Sequence, residues 1–434
     1  MNCDKISLGE LCTITKGITG IQKAIPGEYP MVVTSEERKS HNEYQFDDEA
    51  VIVPLVSGTG HGHASIKRIH YQKGKFALGT ILCAIIPKDK TVLNAEYLFR
   101  YLDLNRENDL VARMKGMANV TLPIKEIAKI EIPLPGLSDQ IEFIEKHKIL
   151  ENNSRHIETE LTNQLNLVKQ LRKSFLQEAM QGKLLSEDKS LVDEKTGQQL
   201  LEQIKAEKAQ LIKDKKLKKE KELTPIKPEE IPFEIPENWV WCRLGEICNY
   251  GSSPKIDSKD INGETWVLDL EDIEKDTSNL IYKARFEERK SLSTKSIFKE
   301  GDVLYSKLRP YLDKVIVADE DGVCTTEILP LKFHNTINPY FIRFSLKRSD
   351  FLAYVNSVTK GMKMPRLGTN EGSMALIPLP PLNEQNRIVG KLEQLMQCCD
   401  QLEVSIKQSQ IQNEQLLQQV LKEALEVREE ITLA

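Results

Sequence analysis

Near the C-terminal end of the sequence Ile388, Leu392, Leu395, Cys399, Leu402 and Ile406 recur at four- and three-residue intervals. Leu416 and Val420 resume the pattern after a polar stretch. An earlier segment repeats the habit more loosely, with Ile141 and Ile144, then Leu161, Leu165, Val168 and Phe175. These seams predict two long helices, from Asp139 to Met180 and from Glu384 to about Glu426, each ~60 Å long at the α-helical rise. Upstream of each, prolines (Pro133 and Pro135; Pro378, Pro380 and Pro381) forbid a helix, and the polar "SDQ" or "NEQ" supplies its cap. A helix that long needs a partner for its apolar seam.

Ahead of each helix the texture is different. "AVIVPLVSGTG", "FALGTILCAIIP" and "IAKIEIPLP", and later "TWVLDL", "GDVLYSKL" and "DKVIVAD", read as short strands between turn signals. "LNAEYLFRYLDL" and "INPYFIRFSLKRSDFLAYV" read as helices among them. The two halves are copies. Setting Lys115 on Lys360 carries "KGM" onto "KGM", Leu122 onto Leu367 and Gln140 onto Gln385 without a gap, and "SLGELCTITKG" answers "RLGEICNYG". The expected fold is therefore α+β: two mixed α/β globular domains joined by two long antiparallel coiled-coil helices, with an internal pseudo-two-fold repeat. The expected segments are a first domain over 1–136, a spacer helix over 137–182 and a charged, Pro-spaced linker over 183–235. A second domain over 236–381 and a second spacer helix over 382–430 complete them.

Composition changes this picture little. The 434 residues are 40% hydrophobic and 29% charged, as in a water-soluble globular chain, and no apolar run is long enough to span a bilayer. A cytoplasmic location without membrane contact is expected. The net charge of −5 averages acidic helices with locally basic loops. The cysteines lack metal-like spacing and read as buried thiols.

Catalytic motifs are missing. The sequence has no GxxxxGK[ST] cradle, no GxGxxG after a strand and no HExxH. "NPYF" at Asn338 approaches the loop with which amino-methyltransferases hold a flipped base, but the matching "NAEY" at Asn94 shares only the Asn, which points to a helix cap. The acidic "DLEDIEK" from Asp269 reads as an exposed loop rather than a Mg²⁺ site. In "GTGHGHASIKRIH", His61 and His63 lack a third metal ligand nearby, so Ser57, Thr59, His61, His63, Lys67 and Arg68 suit polar contacts to base edges and phosphates, or a plain surface loop.

The helix lead-in "IPLPPLNEQNRIV", followed by "KLEQLMQCCDQLE", together with "PFEIPENWVWCRLGEI" and "GMKMPRL", resembles the specificity subunits of type I restriction-modification enzymes over essentially the whole chain. The first copy departs from the pattern, with "GLSDQIEFI" for "PLNEQNRIV". The resemblance implies a non-catalytic reader of double-stranded DNA. Each globular domain would be a target recognition domain for one half-site of a bipartite, asymmetric target, and the helices would set the unspecified gap. It also implies two modification subunits that bind S-adenosylmethionine and methylate adenine, and restriction subunits that use ATP and Mg²⁺, with no cofactor on this chain. The DNA contacts expected are the loop residues above with Arg113 and Lys115 in the first copy, and Lys307, Arg309, Tyr311, Lys360, Lys363 and Arg366 in the second. A coiled-coil scaffold that binds only proteins, and a self-contained restriction enzyme, are the competing readings.

Overall fold

The computed structural model describes residues 5–58, 63–117, 119–185, 195–215, 223–251, 253–289 and 292–426. By its internal contacts the chain divides into two units, residues 1–163 with 406–434, and residues 164–405. Each long helix therefore contributes to both.

In the first unit six strands lie in the order Cys12–Lys16, Leu82–Pro87, Phe46–Pro54, His70–Leu78, Tyr29–Val32, Lys39–His41. The apolar run Ala50–Val53 is continuous because the sheet is covered on both faces. Val51 and Val53 join one core with Leu8, Tyr97, Leu98, Phe143 and Ile144, while Ala50 and Ile52 join another with Val32, Phe76 and Leu82. The second unit has a five-stranded and a three-stranded sheet. Its main core gathers Trp239, Tyr305, Phe341, Phe351 and Ile377 with Ile388 and Leu392.

The repeat is visible in backbone bonds. Lys5–Ser7 pairs antiparallel with Glu131–Pro133, and Val240–Arg243 pairs antiparallel with Leu376–Leu379. The short helix after the first strand is tied down alike in each, Leu8 N donating to Ile130 O at 2.8 Å and Leu244 N to Ala375 O at 2.8 Å. Cys12 and Cys248 close those helices by donating to Leu8 O and Leu244 O.

Both long helices start from the same buried latch. The side chain of Gln140, 0% exposed, accepts from Asn94 N at 2.8 Å and donates to Val92 O and Pro135 O at 2.8 Å each. Gln385, also 0% exposed, accepts from Asn338 N at 2.9 Å and donates to Pro380 O at 2.9 Å. Asn94 caps its helix by accepting from Glu96 N and Tyr97 N, and Asn338 does so from Tyr340 N and Phe341 N, so both are structural caps.

The first long helix is Leu137–Met180, 44 residues, and the second is Leu382–Glu426, 45 residues. Within the second unit they run antiparallel: Leu176, Ala179 and Met180 share a core with Ile388, Val389 and Leu392, while Arg172 reaches Asp400 at 2.7 Å and Glu403 at 3.3 Å. Within the first unit Asn413 donates to Ser154 O at 3.1 Å. The seam expected from the sequence needs correction at three places. Ile141, Leu402 and Leu416 are exposed, at 48%, 48% and 61%. The less exposed line in the second helix runs through Leu392, Met396, Cys399, Glu403, Ile406, Gln410, Asn413, Leu417 and Val420. It is an unbroken heptad register in which polar Glu403, Gln410 and Asn413 occupy seam positions. A search for apolar residues slides off that line onto Leu402 and Leu416. Ile144, Leu161, Leu165, Val168, Phe175, Ile388, Leu392, Leu395, Ile406 and Val420 are buried or half-buried.

The stretch 183–235 is more than a linker. Gly197–Lys213 is a helix with a capping box at Thr196 and Gln199, and its Leu200, Leu201 and Ile204 lie in the core of the second unit. Arg243 fastens the following Pro-spaced segment, donating to Thr224 O at 3.1 Å and Pro225 O at 3.1 Å and pairing with Glu230 at 2.5 Å. The apolar face is masked in the sequence by its lysines, because a helix with few apolar positions reads as solvated; Lys208 itself turns inward, donating to Gly245 O at 2.7 Å and Cys248 O at 3.0 Å.

Gln385→Leu removes the latch while keeping bulk, leaving the Asn338 N–H without its acceptor. Urea unfolding should show a loss of about 2–3 kcal/mol, and Gln140→Leu a similar loss.

Candidate nucleic-acid interface

In each unit a strand end, a hairpin and a short helix are bonded in the same way. Leu122 N donates to Leu55 O at 2.9 Å and Ser57 N to Val120 O at 2.9 Å; Leu367 N donates to Lys307 O at 2.9 Å and Arg309 N to Pro365 O at 2.8 Å. The hairpins close by reciprocal bonds between Lys115 and Thr121 and between Lys360 and Arg366. Both turn through a glycine with positive φ, +121° at Gly116 and +105° at Gly361. Lys115 pairs with Glu126 at 3.1 Å and Lys360 with Glu371 at 3.0 Å, strapping each hairpin to the short helix that follows. These two lysines thus have a structural partner in addition to their expected contact with DNA.

In the second unit this scaffold brings the expected residues together. Lys307, Arg309 and Lys363 have no ion-pair partner among the described residues, and Arg309 and Lys363 are exposed, as is Tyr311. Arg309 and Asp313 hold left-handed φ of +49°, a conformation that non-glycine residues keep only where their surroundings impose it. The anchor is below the loop: Lys347 donates to Asp313 Oδ2 at 2.7 Å and to Ser278 Oγ at 2.8 Å. Burial pushes the Asp313 carboxyl up to about 6, against the pull of Lys347. Arg366 donates through Nε to both carboxylate oxygens of Glu327, at 3.2 and 3.1 Å, and its terminal nitrogens have no partner among the described residues. Glu327 has no sequence signal, because the residue it orients lies far along the chain.

In the first unit the expected residues are brought together less closely. Thr59 and His61 lie outside the described residues. The loop folds on itself, Gly58 N donating to Ser65 O at 2.9 Å and Ser57 Oγ to His63 O at 2.5 Å. His63 and Lys67 are exposed. Arg68 pairs with Glu36 at 2.8 Å, and Arg113 is half-buried, with a buried Nε.

His70 is a core residue. Its Nδ1 lies 3.2 Å from Arg38 Nη1, and burial, reinforced by Arg38 and Arg68, holds it down at about 4. The acidic cluster of the second unit is internally neutralised: Arg289 bridges Asp269 at 2.7 Å and Asp272, and Lys295 reaches Asp269 at 3.2 Å. Among the described residues no group of three or more His, Cys, Asp or Glu could hold a metal ion, and no helix is long and apolar enough to cross a membrane.

The profile described as the type I restriction modification DNA specificity domain matches residues 2–167 and 236–413. The chain belongs to the type I restriction-modification specificity-subunit family. Among its relatives, the EcoDI specificity subunit of Escherichia coli is 26% identical, the match covering 96% of this chain and 87% of that one. The EcoAI specificity subunit of the same organism is 32% identical over 58% of this chain, a match that spans only 44% of the EcoAI subunit. The fold is shared with the HsdS subunit from Thermoanaerobacter tengcongensis, at 17% identity and a TM-score of 0.53, covering 97% of this chain and 96% of that one. A chain from a study of type I complex assembly gives 17% identity, a TM-score of 0.56 and 97% coverage of each. The two profile matches include both hairpin scaffolds, one in each specificity domain.

A neutral buried His70 stabilises the fold above about pH 6.5 and loses that contribution as pH falls toward 4, since the unfolded state takes up the proton first. Thermal melts over this range should show a decline, on the order of 2 kcal/mol, that is flattened in His70→Gln.

Proposed function

We propose that this chain is the DNA-reading subunit of a type I restriction-modification complex, with no chemistry of its own. The observation that carries the reading is that one backbone scaffold, built twice, presents different side chains at matched positions. Ser57 stands where Arg309 stands, and Thr121 where Arg366 stands, each pair held by the same backbone bonds. Two such surfaces suit two different half-sites, giving an asymmetric bipartite target. Arg309 and Arg366 can pair with guanine edges in the major groove or with phosphates, and Lys67, Lys307 and Lys363 suit phosphates. The long helices, ~66 Å each, are the parts whose length would fix the gap.

The same helices would hold the partners. Ile149, Ile157, Leu167 and Leu171 of the first, and Leu402, Val404, Ile411 and Leu416 of the second, are exposed and apolar. Such residues suit docking of two modification subunits, which would carry S-adenosylmethionine and methylate adenine; restriction subunits using ATP and Mg²⁺ would join through them. Work on cellular DNA would place the chain in the cytoplasm. A protein-only scaffold uses these helix residues equally well but has no use for a duplicated hairpin whose faces diverge, polar in one copy and cationic in the other.

A methylation map of the host genome, with this gene intact and deleted, tests the reading. One bipartite adenine-methylated motif should vanish on deletion; persistence of every motif while the partner genes are expressed would refute the function. Arg309→Ala should weaken discrimination at one half-site by about 1–3 kcal/mol in binding competition with single-base variants. The other half-site should be read as before, and equal loss at both would contradict the modular arrangement.

A further inference from the structure

The two hairpin tips share a residue that the reading above leaves without a role. Met117 is 92% exposed and Met362 is 102% exposed, each directly after the positive-φ glycine that makes the turn. Isolated exposed apolar residues are ordinary. The same one at the same place in two diverged copies is not: beyond the Lys strap and the Gly turn the hairpins keep only this Met in common, "KGMANVT" in the first and "KGMKMPR" in the second.

The tips are presented on fixed bases. Reciprocal backbone bonds hold Lys115 to Thr121 at 2.8 and 2.9 Å and Lys360 to Arg366 at 3.3 and 3.0 Å, and the lysine straps reach Glu126 and Glu371. Alanine at Gly116 would bring its Cβ to 2.3 Å from Asn119 O, so the tight turn that projects Met117 depends on glycine. Around Met362 the surface is cationic, with Lys363 exposed and Arg366 on the closing strand. In the second copy an apolar tip flanked by cations matches a polyanion with apolar bases inside its grooves better than it matches an apolar protein surface.

We propose that Met117 and Met362 are direct DNA contacts, each entering a groove of its own half-site and packing its thioether against a base step there. The inference rests on the DNA-reading function above. An unbranched, polarizable side chain can lie along a base step or wedge into it, partly unstacking the bases, without demanding a particular hydrogen-bond pattern. That would explain why the residue is the same in both copies while the residues after it differ: the tip contributes affinity and local deformation, and Ser57 and Arg309 contribute base choice.

The test uses the full chain assembled with its modification subunits, and duplexes recovered by selection from a random pool. 2-Aminopurine is placed at successive positions of each half-site. Wild type should raise the fluorescence at one step in each half-site, and Met362→Gln should abolish the rise in one half-site only, with affinity lowered about tenfold. Met117→Gln should do the same in the other half-site. Both side chains are exposed, so melting temperatures should stay at the wild-type value. Wild-type affinity and fluorescence in both variants would overturn the proposal. So would impaired assembly with the modification subunits alongside unchanged DNA binding, which would make the tips protein contacts. If the wild-type complex selects no DNA, the DNA-reading function falls and this inference with it, a result distinct from silent variants on a complex that binds.

Discussion

Everything about this chain turns on two glutamine side chains buried where the long helices begin. An amide offers an acceptor and donors on one planar group, and Gln140 and Gln385 use both at once. The acceptor takes the N–H of the capping asparagine of a globular-domain helix, and the donor returns to a backbone carbonyl ahead of the long helix. Buried polar groups are costly unless matched, so such a cluster tolerates one arrangement. The direction in which each long helix leaves its domain is thereby fixed at its first turn. Arg100, with Glu96 at 3.1 Å and Glu151 at 2.8 Å, adds a second fastening further along the first helix. Hydrogen bonds from His147 and Arg100 hold the Glu151 carboxyl down at about 2 despite burial.

On this rigid start the protein separates scaffold from readout. The glycine turn, the lysine strap and the carbonyl-to-amide bonds are repeated in both units, whereas the side chains at the strand end and on the closing strand differ. Backbone bonds do not depend on side-chain identity, so a surface held by them can change its chemistry without changing its geometry. Arg309 shows the cost of this arrangement. Its left-handed backbone is matched by that of Asp313, and the loop is fastened from beneath by the buried bonds of Lys347 to Asp313 and Ser278.

The long helices follow a related logic. Their seam keeps a heptad register but places Glu403, Gln410 and Asn413 where apolar residues would stabilise more strongly, and Asn413 meets Ser154. Polar seam residues specify register and orientation at the expense of stability. Apolar residues displaced from the seam, such as Leu402 and Leu416, are left on the outside.

Much of this was legible in the sequence. Internal repetition gave the two-copy plan, the proline-to-polar lead-in gave the start of each long helix, and the paired Asn94 and Asn338 identified caps rather than a catalytic loop, because local patterning and capping act over a few residues and leave their mark there. The seam is obscured where polar residues occupy it, and the helix Gly197–Lys213 reads as part of a charged linker because few of its residues, chiefly Leu200, Leu201 and Ile204, are apolar and buried. The candidate interface residues can be named from loop composition, but not their partners. Glu327 beneath Arg366, Glu371 beside Lys360 and Lys347 beneath Asp313 come from distant parts of the chain, so their pairings exist only after folding. The sequence by itself determined the elements, their order and their duplication, since those follow from short-range periodicity and backbone preference. Only the tertiary structure decided which cations are tied into the scaffold and which remain free to meet a ligand, because electrostatic pairing depends on distance in space rather than distance along the chain.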